Sequence, residues 1–315
     1  RITWRHKTLW WLGLLPGLTH VISALLRLWF TGYARREWLP LLAGLDPARL
    51  PALEQWLFSP ELSGALFNAP FILTAVFWLF LAAVGYWLVF TLAEAAVIAA
   101  TLGIADGRSL SVRQSLTIGR RFLARFIAID AAVFLPWFVL ALAAMVVAVV
   151  TVVATAVFSL QDTATQSLVA ILGLGLSCAA LLACLLVPVS FLAVRFRTLV
   201  FRDTAVAGGP VRQSIRHTWQ VIRRRLAEVL ILMGMLWGLQ YFFNLFMSLI
   251  SLPLGLATAV PTVLSFSGSV GGLETAVANV LGLATAVLLA IPQALLFVYV
   301  AVVWTLAYRQ WASSE

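Results

Sequence analysis

The chain is expected to be an all-α integral membrane protein: six transmembrane helices in three like-oriented hairpins, with cytoplasmic amphipathic helices between them. Three observations predict this class. Apolar residues make up 63% of the chain and charged residues only 10%, with a mean hydropathy of +1.02, a mixture suited to lipid as solvent and far from that of water-soluble domains. Apolar runs long enough for a bilayer core of roughly 30 Å, which needs about 20 helical residues, recur at 8–31, 70–101, 127–157, 167–197, 229–256 and 277–307. Two stretches about one hundred residues apart also read almost alike, and an internal period fixes architecture before single residues are interpreted. Leu92-Ala93-Glu94-Ala95 runs on to Val112-Arg113-Gln114-Ser115-Leu116, and Leu192-Ala193-Val194-Arg195 runs on to Val211-Arg212-Gln213-Ser214-Ile215. The repeats fall at about 1–101, 102–197 and 198–315 of a single membrane domain.

The first hairpin opens with Arg1, Arg5 and Lys7. No separate signal peptide is expected, because the first apolar run is long and carries no small-residue cleavage pattern; the missing initiator Met suggests that residues precede Arg1. The outer loop, 32–69, carries the helix-start signals Asp46-Pro47 and Ser59-Pro60-Glu61, where proline suits a first helical turn. Leu50, Leu53 and Leu57 then share one face, which predicts a short interfacial helix. The other outer connections, 159–166 and 256–276, are read as loops with few charges.

Between hairpins, Val112 to Phe126 and Val211 to Leu226 place apolar residues at helical spacing among arginines, as in helices lying in a membrane interface. Arg113, Arg120, Arg121, Arg212, Arg223, Arg224 and Arg225 are the candidate contacts for anionic headgroups or for a partner's acidic loop, each arginine near such a leaflet being worth about 1 kcal/mol. All 21 basic residues except Arg27, Arg35, Arg36 and Arg49 fall on one side of this topology. The positive-inside bias therefore puts both termini in the cytoplasm. Trp4, Trp10, Trp11 and Trp311 flank one boundary and Trp29, Trp38 and Trp56 the other, as expected of interfacial rings. The net charge of +9 is thus a topology signal; the arginines abut spans and form no separate basic domain, which excludes nucleic-acid binding.

Even spans end alike: Leu92-Ala93-Glu94, Leu192-Ala193-Val194-Arg195 and Leu306-Ala307-Tyr308-Arg309. Glu94 is the clearest intramembrane charge, and Arg195 and Arg309 lie one position away in the matching register. An unpaired charge at this depth costs about 2.5 to 3.5 kcal/mol, so a buried structural pair of Glu94 with Arg195 or Arg309 is expected. Asp130 and Glu228 are read as compensated along their own helices by Arg125 and Arg225. His20, a lone histidine within the first span, is a candidate ligand for a tetrapyrrole or a metal, against the plainer reading of a hydrogen bond to a neighbouring helix. Gln240, Asn244 and Gln293 are read as interhelical hydrogen-bonding groups, and Pro16, Pro136, Pro188 and Pro292 as kinks. Cys178 and Cys184 are six apart and face differently, so neither a disulfide nor a metal pair is expected.

Enzyme signatures are missing. Lys7 is the single lysine, which excludes a phosphate-binding loop, and there is no His-Glu-x-x-His. No catalytic residue, metal or cofactor is expected.

The segment Leu199-Val200-Phe201-Arg202-Asp203, Gly209-Pro210-Val211-Arg212-Gln213-Ser214-Ile215-Arg216-His217-Thr218-Trp219 and Arg223-Arg224-Arg225-Leu226 resembles a loose superfamily of bacterial six-span proteins, mostly of unknown function. It includes the membrane domain attached to some glycerophosphodiester phosphodiesterases. Thr218 stands where Ser is commoner in that family. The resemblance implies a fold and a bacterial cytoplasmic (inner) membrane location, without an activity, because the phosphodiesterase domain has no counterpart here. The expected role is a non-catalytic scaffold or accessory subunit packing against other membrane proteins, a second copy of itself and lipids; the alternative is a small transporter or lipid-handling protein. Glu94→Gln should lower detergent stability if Glu94 belongs to a structural pair, read as a drop in the aggregation midpoint on heating.

Overall fold

A computed structural model describes residues 6–37, 69–159, 184, 188–266 and 272–313. Every described element is a helix: α1 (Lys7–Glu37), α2 (Ala69–Ala105), α3 (Val112–Ser159), α4 (188–207), α5 (Val211–Arg224), α6 (Leu226–Phe266) and α7 (Gly272–Ser313). By length and composition four described stretches can cross a membrane: Phe77–Ala105, Val112–Leu140, Leu226–Ala257 and Ala276–Ser313. Three of them match the second, fifth and sixth predicted spans, and Val112–Leu140 overlaps the first half of the third. The predicted interfacial helix of the outer loop, most of the fourth predicted span, the 159–166 loop beyond Ser159, and Cys178 lie outside the described residues; Cys184 is exposed.

Two expectations are corrected. The first amphipathic segment is no separate interfacial helix, because Val112 to Phe126 is the opening of the 48-residue helix α3. Its counterpart does end, at Arg225, where φ −121° and ψ 35° bend the chain before α6. The connection read as a loop from 256 to 276 is largely helical, since α6 runs to Phe266 and α7 starts at Gly272. Leu256, Ala257 and Ala259 favour helix, and Pro261 lies within the continued helix, as prolines do in apolar spans.

Local sequence explains the ends of these helices. Ser111 caps α3: its hydroxyl accepts from the Gln114 N–H at 3.2 Å while the Gln114 side chain accepts from the Ser111 N–H at 2.9 Å, a reciprocal capping box. In the second copy Pro210 stands at the start of α5 and makes no side-chain cap. Helices α2 and α4 both run out into a glycine at positive φ, Gly107 at 76° and Gly208 at 68°, where an L side chain would be strained. Both following motifs bury their serine, Ser115 in α3 and Ser214 in α5.

The chain divides into two compact units, one of Arg1–Gly119 with Gly234–Val303 and one of Arg120–Met233 with Trp304–Glu315. In the first, α1 packs on α2, and the stretch of α2 from Ala93 to Thr101 is buried throughout. A Cβ on Gly13 would stand 2.7 Å from the Ala294 carbonyl oxygen and 2.5 Å from a Val298 methyl; one on Gly17 would stand 2.9 Å from the Ala290 oxygen. Gly13 and Gly17 on α1 thus face Ala290, Ala294 and Val298 of α7, each series spaced by four, so the two backbones approach within the radius of one missing methyl. Such small-residue seams are how helices gain dispersion contacts where lipid removes the hydrophobic drive between them. Gly119 repeats the device, with a Cβ there lying 2.8 Å from the Ala96 nitrogen of α2. The opposite stripe of α1, Trp11, Leu18, Ile22, Leu25 and Trp29, is exposed and apolar, as befits a lipid-facing surface. Buried Thr101 returns its hydroxyl to the preceding turn, donating to the Val97 oxygen at 2.7 Å, which satisfies it without a partner helix.

Gly13→Ala should cost about 1–3 kcal/mol, the usual range for overpacking a tight contact, whereas Gly234→Ala on α6, whose Cβ would meet open space, should be neutral or slightly stabilising. Thermal unfolding of the two variants in the same detergent checks the contrast.

Candidate functional site

Charge at the interior of a membrane protein must find a partner or neutralise, and the second unit shows two such partnerships. Asp130, on α3, is 3% exposed. Five residues separate it from Arg125 on the same helix, so the two side chains diverge rather than stack as residues three or four apart would. Arg125 instead donates to the Gly208 carbonyl oxygen at 2.8 Å. This corrects the expected local compensation of Asp130, whose partner is Arg197 of α4. The Arg197 Nε donates to Oδ1 of Asp130, and Nη2 donates to Oδ2 at 3.2 Å, a fork that only a planar guanidinium offers a carboxylate. The same guanidinium lies 4.2 Å from the Phe201 ring centroid, and Phe201 stacks on Phe126 at 3.8 Å. Carboxylate, guanidinium and two rings therefore form one layered contact between α3 and α4.

The second partnership centres on Asp203, one turn and a half further along α4 and 2% exposed. Its Oδ1 accepts from the Tyr308 hydroxyl of α7 at 2.7 Å and meets His217 Nδ1 of α5 at 2.5 Å. One carboxylate oxygen thus joins α4, α5 and α7. Fully buried Arg202 donates to the Thr198 carbonyl oxygen, and Ser214 and Thr218 present the buried face of α5. The arginines of α5 consequently project outward, Arg212, Arg223 and Arg224 being exposed, with the Arg223 guanidinium 5.2 Å from the Trp219 ring. Arg225 pairs with Glu228 at 2.9 Å, the compensation expected along that helix.

Of the residues singled out by sequence, Glu94 is buried on α2 of the first unit. Arg195 and Arg309 belong to the second unit, the Arg195 guanidinium lying 5.1 Å from the Phe191 ring. Arg113, Arg120 and Arg121 line the first part of α3, with Arg120 and Arg121 exposed. His20 sits within α1, its side chain outside the described residues. Asn244 is exposed on α6.

Sequence reasoning missed both partnerships. Asp203 and His217 stood inside the motif that carries the family resemblance, and Tyr308 occupies the repeat position of Glu94. The signal was present as a polar residue, Glu94 and Tyr308, at that position in two of the three span ends, with Val194 in the other, but the identity of the partner was not. Chemically, the Asp203, His217 and Tyr308 group can hold or move a proton between helices, while the Asp130 and Arg197 fork is locked by bidentate geometry. Among the described residues no three His, Cys, Asp or Glu side chains converge closely enough to hold a metal ion. Compared with family models, curated proteins and solved structures, the chain matches none significantly.

Removing one partner of a buried ion pair strands the other charge and costs about 3–5 kcal/mol, whereas an apolar pair in its place is often neutral. Asp130→Ala and Arg197→Ala should each destabilise by that amount, and Asp130→Leu combined with Arg197→Met by far less than the sum. Tyr308→Phe should cost about 1–3 kcal/mol through the under-satisfied Asp203 carboxylate. Denaturant midpoints in detergent micelles measure all four.

Proposed function

We propose that the chain is a six-span protein of the bacterial inner membrane, built of three like-oriented hairpins with both termini cytoplasmic, and that it serves as a non-catalytic scaffold or accessory subunit. Support for the topology comes from four apolar helices at predicted span positions, from arginines confined to the same ends of those helices, and from matched glycines and buried serines in the two similar motifs. The motif likeness over 199–226 points the same way.

The observation that carries the scaffold reading is the surface of α6. Ile231, Met235, Trp237, Phe242, Leu245 and Leu249 are all exposed, Leu249 by 70%. At about 100° per residue, these and their exposed neighbours spread over more than half of the helix circumference. A helix face this bare of contacts among the described residues is covered by lipid or by another membrane helix. Gly234 and Gly238 lie on the exposed arc, four apart, with open space where each Cβ would be. The same spacing that seats α1 on α7 through Gly13 and Gly17 is therefore repeated on α6 with no helix of the described residues against it. Small residues at that interval admit a helix from outside to close backbone distance.

Gly234→Leu with Gly238→Leu should abolish co-purification of a stoichiometric membrane partner, or of a second copy, while leaving membrane integration intact. Mass analysis of the gently solubilised native protein, before and after substitution, reads this out. Wild-type protein that runs as a lone monomer and drives solute flux in proteoliposomes would instead establish the transporter reading.

A further inference from the structure

Within the second unit, α3, α4, α5 and the ends of α6 and α7 enclose a groove of about 750 Å³, within the size range of small-molecule sites. Its floor is apolar and buried, formed by Ala193, Leu199, Val229 and Trp304. Its rim is apolar and open, with Leu192, Leu226 and Leu230 each about half exposed. Among the described residues, charge enters the lining at Arg195 and Arg223, with no Asp or Glu. Trp219, whose ring borders Phe196 at 6.3 Å, holds the Arg223 guanidinium against its face.

We propose that this groove binds one anionic phospholipid of the surrounding bilayer, its acyl chain along the apolar floor and its phosphate at Arg223 and Arg195. This rests on the membrane reading above and names a defined site where that reading has only a surface. An apolar slot with an open side suits a hydrocarbon chain entering laterally, because each buried methylene is worth about 0.8 kcal/mol. Guanidinium groups at the slot's polar border match a phosphate's oxygens by charge and by forked geometry. A free phosphate would leave the apolar volume empty, and a zwitterionic headgroup would bring its own cation to the arginines. The tryptophan face behind Arg223 fixes that guanidinium and adds an amphipathic ring at headgroup depth.

Native mass spectrometry of the detergent-purified full chain, titrated with phosphatidylglycerol or with phosphatidylcholine of the same acyl chains, tests the site. One phosphatidylglycerol should be retained per chain, with at least ten-fold lower retention of phosphatidylcholine. Arg223→Gln should erase that preference, and Leu192→Trp, which fills the groove from a rim position already exposed, should lower retention of both lipids. Arg120→Gln, also exposed but outside the groove, should change nothing. Equal retention of the two lipids by the wild type, or an undiminished adduct in both groove variants, would overturn the proposal, as would full displacement by millimolar glycerol phosphate. A lipid-free dimer that dissociates on Leu192→Trp would place a second copy in the groove instead. Extraction of the chain from membranes by alkaline carbonate would sink the membrane reading itself; a chain that resists extraction yet shows no lipid preference loses only this site.

Discussion

The fork between Arg197 and Asp130 is the constraint around which the second unit is organised. A guanidinium and a carboxylate removed from water lose several kcal/mol of hydration each, and that loss is offset only when both oxygens and at least two N–H groups are matched. Nε and Nη2 of Arg197 meet that requirement. The geometry in turn fixes how α4 rotates against α3, because Arg197 must also lie flat on Phe201 and Phe201 on Phe126. With α4 oriented in this way, Asp203 falls on the side where Tyr308 and His217 reach it. Helix α5 then has to turn Ser214 and Thr218 inward and its arginines outward. The basic surface of the chain is thus a consequence of a buried charge, and the groove beside it inherits Arg195 and Arg223 from the same rotation of α4 and α5.

The first unit is held by a different kind of contact. No ion pair is needed where Gly13 and Gly17 let the backbone of α1 lie against Ala290, Ala294 and Val298; the gain there is dispersion between closely spaced atoms. Phe90 of α2 and Phe297 of α7 add an edge-on ring contact at 5.2 Å. A seam of small residues gives a close fit at low chemical cost, which explains why α2 can bury a run such as Ala95-Ala96-Val97-Ile98 almost completely. The same spacing recurs at Gly234 and Gly238 on α6, where no described residue meets the Cβ positions.

How much of this was legible can be traced residue by residue. The helices at 70–101, 229–256 and 277–307 were readable from apolar length, and the cap at Ser111 is written in Ser-x-x-Gln spacing. The ends of α6 and the continuity of α3 were not, since an amphipathic stretch followed by an apolar one is compatible with either a bend or a straight run. Arg225 bends and Phe126, at the same place in the first copy, does not. In the sequence Asp130 is a charge needing compensation and Arg125 is the base nearest to it along the helix, because along-chain spacing is the only distance a sequence displays. The partner actually used lies 67 positions away.

The sequence by itself determined the solvent of this protein, its helical class and the side of each helix end on which positive charge accumulates, because these depend on composition and on local spacing summed over many residues. Only the tertiary structure decided which glycine meets a backbone and which meets empty space, and which acid takes which base. Those outcomes depend on the rotation and offset of helices distant in sequence, and half a turn of a helix about its axis exchanges a buried partner for an exposed one.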